Sequence, residues 1–401
     1  MRFVFYCSKF PPQPGGAGID AYYLGRDLSE DGHEVHVVCE HAPGLKKFEK
    51  LNDRYSIYRV AVPLIKNRGS GAYFLSLCAG IARRGIRVIN KENIDIVHCH
   101  DTATGIAGLI TKFITRKPTV FKFGGSMTYE YLCNSNMNGW DPAVGESWAW
   151  ENSTGMAKSV LGIEKQFFIR FDKIYPIAQY LVDILKKHLD LPNGKVKLIH
   201  NGIDTKSIRK ENFKNIKNDL KINKMIFTGV RFVKYKGVHV LIEACKPILQ
   251  KLNAHLVIAG DGPERATLKK MAAGCENIIF SGNLSWEDNM NYVRSADVFV
   301  LPTLVDKTPS SLMEALAMET PCITSEIDGV RELIAPGCGI TVEPNNSDAL
   351  ADKICWVLEH PDEAKKMGKR GREFIINEFR WDLTADKIKE LYAELSHETG
   401  K

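Results

Sequence analysis

The feature that most constrains this chain is its rhythm. From end to end, short apolar runs alternate with longer amphipathic stretches. An uninterrupted short apolar run reads as a strand buried on both faces, and strand–helix–strand succession builds parallel sheets. In the first half the pattern predicts strands over 2–7, 34–38, 56–60, 95–98, 119–123 and 173–177, with helices such as 19–29 and 102–114 between them. In the second half it predicts strands over 196–200, 225–230, 255–259, 278–281, 298–301, 322–325 and 339–342, separated by helices such as 238–249, 310–318 and 347–359. No fixed-period repeat and no low-complexity tract breaks the order. A chain of 401 residues is large enough for more than one core. The turn signal Leu191-Pro192-Asn193-Gly194 places the boundary. The expected fold class is α/β, with Rossmann-like domains over 1–190 and 191–378 and a last segment over 379–401. Two such domains facing one another leave a cleft, and ligands of doubly wound sheets bind beyond the carboxyl ends of the strands.

Composition sets the surroundings. Hydrophobic residues make up 44% and charged residues 25%, which excludes a mostly disordered chain. The first apolar run, Phe3 to Cys7, is too short for the hydrophobic part of a secretion signal. The longest apolar candidate for a membrane span, 71–82, meets Arg83-Arg84 well short of the ~18 residues required. Ten cysteines without a Cys-x-x-Cys pair suggest neither zinc nor a redox motif, and they fit a reducing cytoplasm. Residues 1–175 carry 22 cationic and 17 anionic side chains, against 32 and 31 in the remainder. The excess therefore sits on the first half, notably at Lys66, Arg68, Arg83, Arg84 and Arg87. It admits phosphate ligands without indicating nucleic acid. It also leaves open a peripheral contact with the anionic inner face of a membrane, although a solvated helix face explains the same charges.

Three strand-to-helix loops of the second half carry chemistry. Arg231-Phe232-Val233-Lys234-Tyr235-Lys236-Gly237 brings three cations to a helix start, where the helix dipole opposes them. A docked anion removes the conflict, because amides and cations then act together on a phosphate. A solvated basic loop is the plainer alternative. In Val305-Asp306-Lys307-Thr308-Pro309-Ser310-Ser311-Leu312-Met313-Glu314, Thr308 is the expected N-cap and Pro309 the first helical residue. The amides of Ser310 and Ser311 then point out of the helix, Glu314 lies one turn further in to accept a ligand's diol, and Asp306 sits on the approach. Gly260-Asp261-Gly262 lets a ligand near the backbone, but a tight turn needs glycine anyway. In the first half, Pro14-Gly15-Gly16-Ala17-Gly18 offers amides as a nest or is only a flexible turn. His98-Cys99-His100-Asp101 ends a strand without the further ligands a metal needs; one histidine is expected to be buried, leaving His100 or Asp101 exposed as a polar contact or base.

Taken in order, these segments resemble the retaining glycosyltransferases of family 4, which have the GT-B architecture. The resemblance spans nearly the whole chain. It adds Gly32-His33-Glu34-Val35, Asp95-Ile96-Val97-His98, His200-Asn201-Gly202-Ile203-Asp204, Gly229-Val230-Arg231, Ser295-Ala296-Asp297-Val298 and Asp328-Gly329-Val330-Arg331-Glu332 to the loops above. The family's two-acid motif appears as Asp306 and Glu314. The resemblance implies a sugar moved from a nucleoside-diphosphate donor to a sugar, lipid-linked or small-molecule acceptor, with no metal or other cofactor and no nucleic acid as partner. It implies that Arg231 and Lys236 hold the diphosphate and stabilise the leaving charge, with Asp306 and His100 also in catalytic positions. Gly15, Gly16, Gly229, Gly260, Gly262, Pro309, Ser310, Ser311 and Leu312 would line the donor, and Glu314 would take the ribose hydroxyls. Residues 379–401 look like the terminal segment that returns to the first, acceptor-side domain, while 191–378 would bind the nucleotide sugar.

The chain departs from the family at Gly124, where many relatives place a histidine; Lys122 or His100 is left to take that contact. Tyr129, Tyr131, Trp140, Trp148 and Trp150 either shape an acceptor pocket or pack on their own domain. Two other readings use the same architecture: a sugar-nucleotide epimerase or disaccharide phosphorylase, and a sugar-nucleotide-binding protein without catalysis.

Overall fold

The apolar runs become strands because both of their faces are covered. In the computed structural model, which describes residues 1–13, 15–62, 71–134 and 145–398, Phe3, Val4, Phe5 and Tyr6 are at most 1% exposed. Phe3 and Phe5 enter one core while Val4 and Tyr6 enter another, as alternate residues of a strand must. Pro14, Lys66, Arg68 and Trp140 lie outside the described residues.

The chain divides into two units, Met1–Asn201 with Trp381–Lys401, and Gly202–Arg380. The first contains β1 (Arg2–Tyr6), β2 (Glu34–Glu40), β3 (Phe48–Asn52), β4 (Tyr55–Val60), β5 (Ile96–Cys99), β6 (Thr119–Phe123) and β7 (Lys173–Pro176). Their order is β3-β4-β2-β1-β5-β6-β7, all parallel except β3. The second contains β8 (Lys224–Gly229), β9 (Ala254–Ala259), β10 (Ile278–Gly282), β11 (Val298–Leu301), β12 (Cys322–Ser325) and β13 (Ile340–Val342), in the order β10-β9-β8-β11-β12-β13 and wholly parallel. Each sheet reverses its direction of growth at its first strand. The loops leaving β1 and β5, and those leaving β8 and β11, therefore part to opposite sides, which opens a crevice at each switch point.

Several expectations are corrected. The first unit continues past residue 190, because the segment beyond it runs along β7: Ile174 N–H donates to Lys195 O at 2.9 Å and Ile199 N–H to Pro176 O at 3.1 Å. The strand expected over 196–200 is accordingly a single bridge, Ile174 to Val196, within the first unit. At the other end, Phe379 and Arg380 stay with the second unit, where Ile203 N–H donates to Phe379 O at 2.8 Å. The helix expected over 238–249 breaks into Val238–Cys245 and Leu249–Leu252, with Pro247, which has no N–H to give, between them. β3 has no apolar run at all; its Phe-Glu-Lys-Leu-Asn sequence is an edge strand with one neighbour and a mostly exposed surface.

The last helix, Trp381–Glu398, belongs to the first unit through aromatic packing. Tyr392 stacks on Phe3 with ring centres 4.6 Å apart, and its hydroxyl is hydrogen-bonded to His98 Nδ1 at 2.6 Å. Helix Gly71–Glu92 turns Leu77, Ile81, Val88 and Ile89 inward, leaving Arg83 and Arg87 exposed on its outer side. Among the described residues no helix is long and apolar enough to cross a membrane.

Beyond β6 the chain is held by a buried carboxylate. Glu164, on helix Gly155–Arg170, accepts from Ser126 Oγ at 2.9 Å, Met127 N–H at 2.7 Å, Thr128 N–H at 3.2 Å and Thr128 Oγ1 at 2.6 Å. It thereby ties down the start of helix Met127–Asn134. Ser126 also receives Trp150 Nε1–H at 3.0 Å, and Trp150 and Tyr129 are buried, so these two aromatics pack on their own unit. Burial raises the Glu164 carboxyl to about 7 against these four donors. A group raised on folding contributes stability that is fully present below its unfolded value near 4.5 and is lost as pH climbs through 7. The span corresponds to on the order of 3 kcal/mol. Urea unfolding at pH 5 and pH 8 should show Glu164→Gln less stable at both, since an amide cannot accept from all four donors. The loss of stability between the two pH values should also be smaller in the variant than in the wild type. Equal losses would show that Glu164 does not carry this proton.

Candidate functional site

The switch point of the second sheet is built by one close backbone approach. After β8, residues 230–237 make a single 3₁₀ turn, Lys234–Lys236, and reach Gly237 at φ +66°. A Cβ at Gly237 would stand 1.8 Å from the carbonyl oxygen of Pro302, the residue that follows β11, so only glycine permits the contact. Leu304 N–H and Thr303 Oγ1 both donate to Tyr235 O, at 2.7 and 3.2 Å, and complete the seam. As a result Lys236 Nζ and Asp306 Oδ2 form an ion pair at 2.5 Å across 70 residues of sequence. Their side chains are only 19% and 16% exposed. Tyr235 seats two of the loop's three cations. Its hydroxyl accepts from Arg231 Nη2 at 2.9 Å, and Lys236 Nζ lies 5.9 Å from the centre of its ring. Arg231 itself is exposed.

Asp306 is fixed from behind by Gly329, where a Cβ would stand 2.0 Å from Asp306 O and 2.4 Å from Lys307 O. The following helix is Ser310–Ala317, and its N-cap is Pro309 with extended backbone. The expected cap Thr308 therefore lies one residue too early: Leu312 and Met313 N–H both return to Pro309 O, at 3.1 and 3.2 Å. No side chain caps this end, so the Ser310 and Ser311 amides are directed outward from an uncapped helix start. Leu312 is corrected to a core residue, with no exposure and its amide committed to Pro309.

The glycines of the neighbouring loops serve the scaffold. A Cβ at Gly260 would meet Val230 O at 1.9 Å, one at Gly262 would meet Phe232 O at 2.4 Å, and one at Gly229 would meet Asn289 Oδ1 at 2.5 Å. Phe232 N–H donates to Asp261 O at 2.9 Å, so the loop after β9 props up the loop that carries Arg231.

Glu314 is partly buried, and burial raises its carboxyl to about 7, with a hydrogen bond from Trp286 pulling it back. That bond, Trp286 Nε1–H to Glu314 Oε1 at 2.9 Å, was not visible in the pattern of residues. Its one local signal is Ser285, which caps helix Trp286–Ser295 by accepting Asp288 N–H at 3.0 Å and so fixes where Trp286 stands.

In the first unit the switch point brings together different groups. Gly15 is the uncapped N-cap of helix Gly16–Glu30, and a Cβ at Gly16 would meet no atom within 4 Å. The constrained glycine is Gly18, where a Cβ would stand 2.2 Å from Lys9 O. His98, on β5, and His100, just past its end, point to the same side, and their rings stack with centres 3.9 Å apart. His98 is buried as expected and bonded to Tyr392 and Tyr175, but His100 is buried too, 2% exposed and with no partner for either ring nitrogen among the described residues. Burial, with His98 and Lys122 nearby, holds the His100 imidazole well below its usual range and neutral. Asp101 caps helix Thr102–Thr115 through Thr104 N–H at 2.9 Å and also accepts Ser8 N–H at 2.6 Å. Lys122, 3% exposed, pairs with Asp20 on the first helix, and no residue pattern announced that pair. A Cβ at Gly124 would meet only Ile177, at 3.8 Å, so the space of a side chain is open there.

Known proteins share the two-part organisation of the chain. The family model described as Glycosyltransferase Family 4 matches residues 14–207, and the one described as Glycosyl transferases group 1 matches residues 208–374. N-acetyl-alpha-D-glucosaminyl L-malate synthase of Bacillus anthracis is 24% identical over 96% of this chain and 95% of its own. Sucrose-phosphate synthase from Thermosynechococcus elongatus superposes with a TM-score of 0.83 at 19% identity, covering 99% of both chains. A protein of Anabaena solved in complex with UDP and glucose gives 0.74 at 16% identity, covering 98% of this chain and 99% of that one. Both halves of the chain are thus accounted for by one kind of enzyme: it belongs to the group 1, family 4 glycosyltransferases, with their GT-B class of α/β fold.

Proposed function

We propose that this glycosyltransferase takes its sugar from a nucleoside diphosphate and transfers it to a hydroxyl acceptor with retention of configuration and without a metal ion. The observation that carries the reading is the convergence at the β8–β11 switch point of Arg231, the Lys236–Asp306 pair and the uncapped start of helix Ser310–Ala317. Departure of a nucleoside diphosphate concentrates negative charge. Preorganised cations and helix-start amides stabilise such charge without reorganising when it forms. In this reading Arg231 and Lys236 hold the diphosphate, the Ser310 and Ser311 amides add to them, Asp306 faces the sugar and Glu314 accepts the ribose hydroxyls. The anomeric carbon loses its bond to the diphosphate oxygen and gains one to the acceptor oxygen, whose proton leaves. The Anabaena structure with UDP and glucose supports a donor of this class.

The first unit is assigned the acceptor, and the name of the Bacillus relative, a glucosaminyl L-malate synthase, supports a small hydroxyl-bearing molecule as one class of acceptor. Ten free cysteines, seven of them buried, support a reducing location such as the cytoplasm. A peripheral contact of the first unit with an anionic bilayer would place Arg83 and Arg87 against it and would be seen as salt-sensitive vesicle binding.

Lys236→Ala and Glu314→Ala should each lower transfer at least 100-fold, followed as release of the nucleoside diphosphate, with circular dichroism and melting little changed. Turnover near wild type in either would refute the assignment. Activity unchanged by chelators, and an α-linked product from an α-linked donor, are the expected results for the metal and the stereochemistry. Conversion of the sugar nucleotide with no acceptor present would favour the epimerase, and tight binding with no turnover over a broad acceptor screen would favour a protein that only binds.

Gly237→Ala should lower the stability of the second unit by about 2 kcal/mol or more, since both the left-handed backbone and the Pro302 carbonyl oppose a methyl group. Donor binding should weaken with it. Denaturant unfolding and nucleotide titration would read the two effects; an unchanged midpoint would show that the seam is compliant.

A further inference from the structure

Glu314 is held from one side only. Among the described residues its carboxylate accepts a single hydrogen bond, from Trp286 Nε1–H at 2.9 Å. The donor residue is placed with some care. Trp286 opens its helix directly after the Ser285 cap, and its ring meets Phe213 edge-on at 5.7 Å. It is nevertheless 48% exposed, unusual for the largest apolar side chain, so one edge of the indole is committed and much of the rest is left to solvent.

A carboxylate can hold a vicinal diol only if its oxygens face the hydroxyls in one fixed rotamer. Glu314 has no cation and no second donor to fix it; burial and the indole N–H are the influences it feels. We propose that Trp286 is the positioning residue of Glu314: its N–H holds Oε1 so that Oε2 is presented to a ribose hydroxyl of the donor nucleotide. The proposal rests on the reading of Glu314 as the ribose-holding group. On this proposal Trp286 acts on recognition of the hydroxyls and not on the diphosphate, which is left to Arg231 and Lys236.

Discrimination between nucleotides with and without ribose hydroxyls separates these roles. The probes are UDP, ADP and GDP on the full chain, and then the 2′,3′-dideoxy form of whichever binds tightest. The wild type should prefer the ribonucleotide by at least about tenfold, as for hydrogen bonds to a charged group. Trp286→Phe keeps the ring and removes the N–H. It should reduce the preference to about threefold or less, chiefly by weakening the ribonucleotide and leaving the dideoxy form nearly unchanged. In turnover the same variant should raise the donor KM with kcat within about twofold.

Glu314→Gln keeps the two possible failures apart. Full preference in Glu314→Gln would overturn the ribose reading itself. Preference lost in Glu314→Gln but retained in Trp286→Phe would leave that reading standing and overturn the role of Trp286. A second measurement needs no variant: the indole N–H resonance of Trp286 should shift more on adding the ribonucleotide than on adding the dideoxy form. Equal shifts would also count against the proposal.

Discussion

The architecture of the second unit's switch point depends on the contact between Gly237 and the carbonyl of Pro302. β8 and β11 are parallel neighbours, but their crossovers leave in opposite directions, so nothing in the sheet itself brings the two following loops back together. The absent Cβ at Gly237 does so, and the hydrogen bonds from Leu304 and Thr303 to the Tyr235 carbonyl lock it. Once that seam is closed, Lys236 and Asp306 have little choice but to meet, and Tyr235 is turned so that its hydroxyl receives Arg231. The seam is reinforced on both flanks by further backbone approaches, Gly260 to Val230 and Gly329 to Asp306. Four loops thus behave as one body, which is what a site needs if its charges are to be in place before the ligand arrives.

The electrostatics follow from this rigidity. Lys236 is mostly withdrawn from water, and its partner Asp306 offsets the cost of keeping it charged. Arg231 stays exposed and, among the described residues, is held by a single phenol. One cation is therefore preformed and the other is free to close on a ligand. Net charge gives no hint of this, because the half that carries these cations is nearly neutral. Local placement of a few charges, and not their sum, sets the field at such a site.

Much of this was legible in the residues. Runs such as Val298-Phe-Val-Leu301 are buried on both faces, and burial is what an apolar run records, so the strands of both sheets could be read along with the loops that follow them. Arg231 and Lys236 could be singled out because cations at a helix start conflict with its dipole unless an anion docks there, and Asp306 and Glu314 because their spacing around a helix start matches a two-acid motif. β3 could not be read, since an edge strand needs no apolar run. The cap could not be placed between Thr308 and Pro309, because both types suit a helix start and only the acceptor of the Leu312 amide decides. Leu312 falls inside a motif that otherwise lines a helix start, although its periodicity also suits the core. Trp286 and Asp20 escaped for a different reason. Their partners, Glu314 and Lys122, are distant in sequence, and a pairing across elements leaves no local trace.

The two sheets reach similar devices with different outcomes. Each has a glycine pressed on a carbonyl beside its switch point, Gly18 on Lys9 and Gly237 on Pro302, and each has a lysine–aspartate pair nearby. In the first unit the lysine is 4% exposed, the neighbouring His100 is sealed and neutral, and Asp101 is spent on a helix cap and the Ser8 amide. These groups are closed in by packing, so what they offer a ligand is confined to the uncapped helix start at Gly15 and the open space at Gly124. In the second unit the pair is flanked by an exposed arginine, an uncapped helix and a carboxylate with one oxygen to spare. The same backbone solution therefore gives one unit a largely structural charge pair and the other a charge pair with vacant hydrogen-bonding capacity around it. That difference, more than the sequence motifs, is the support for proposing that the second unit takes the charged part of the donor.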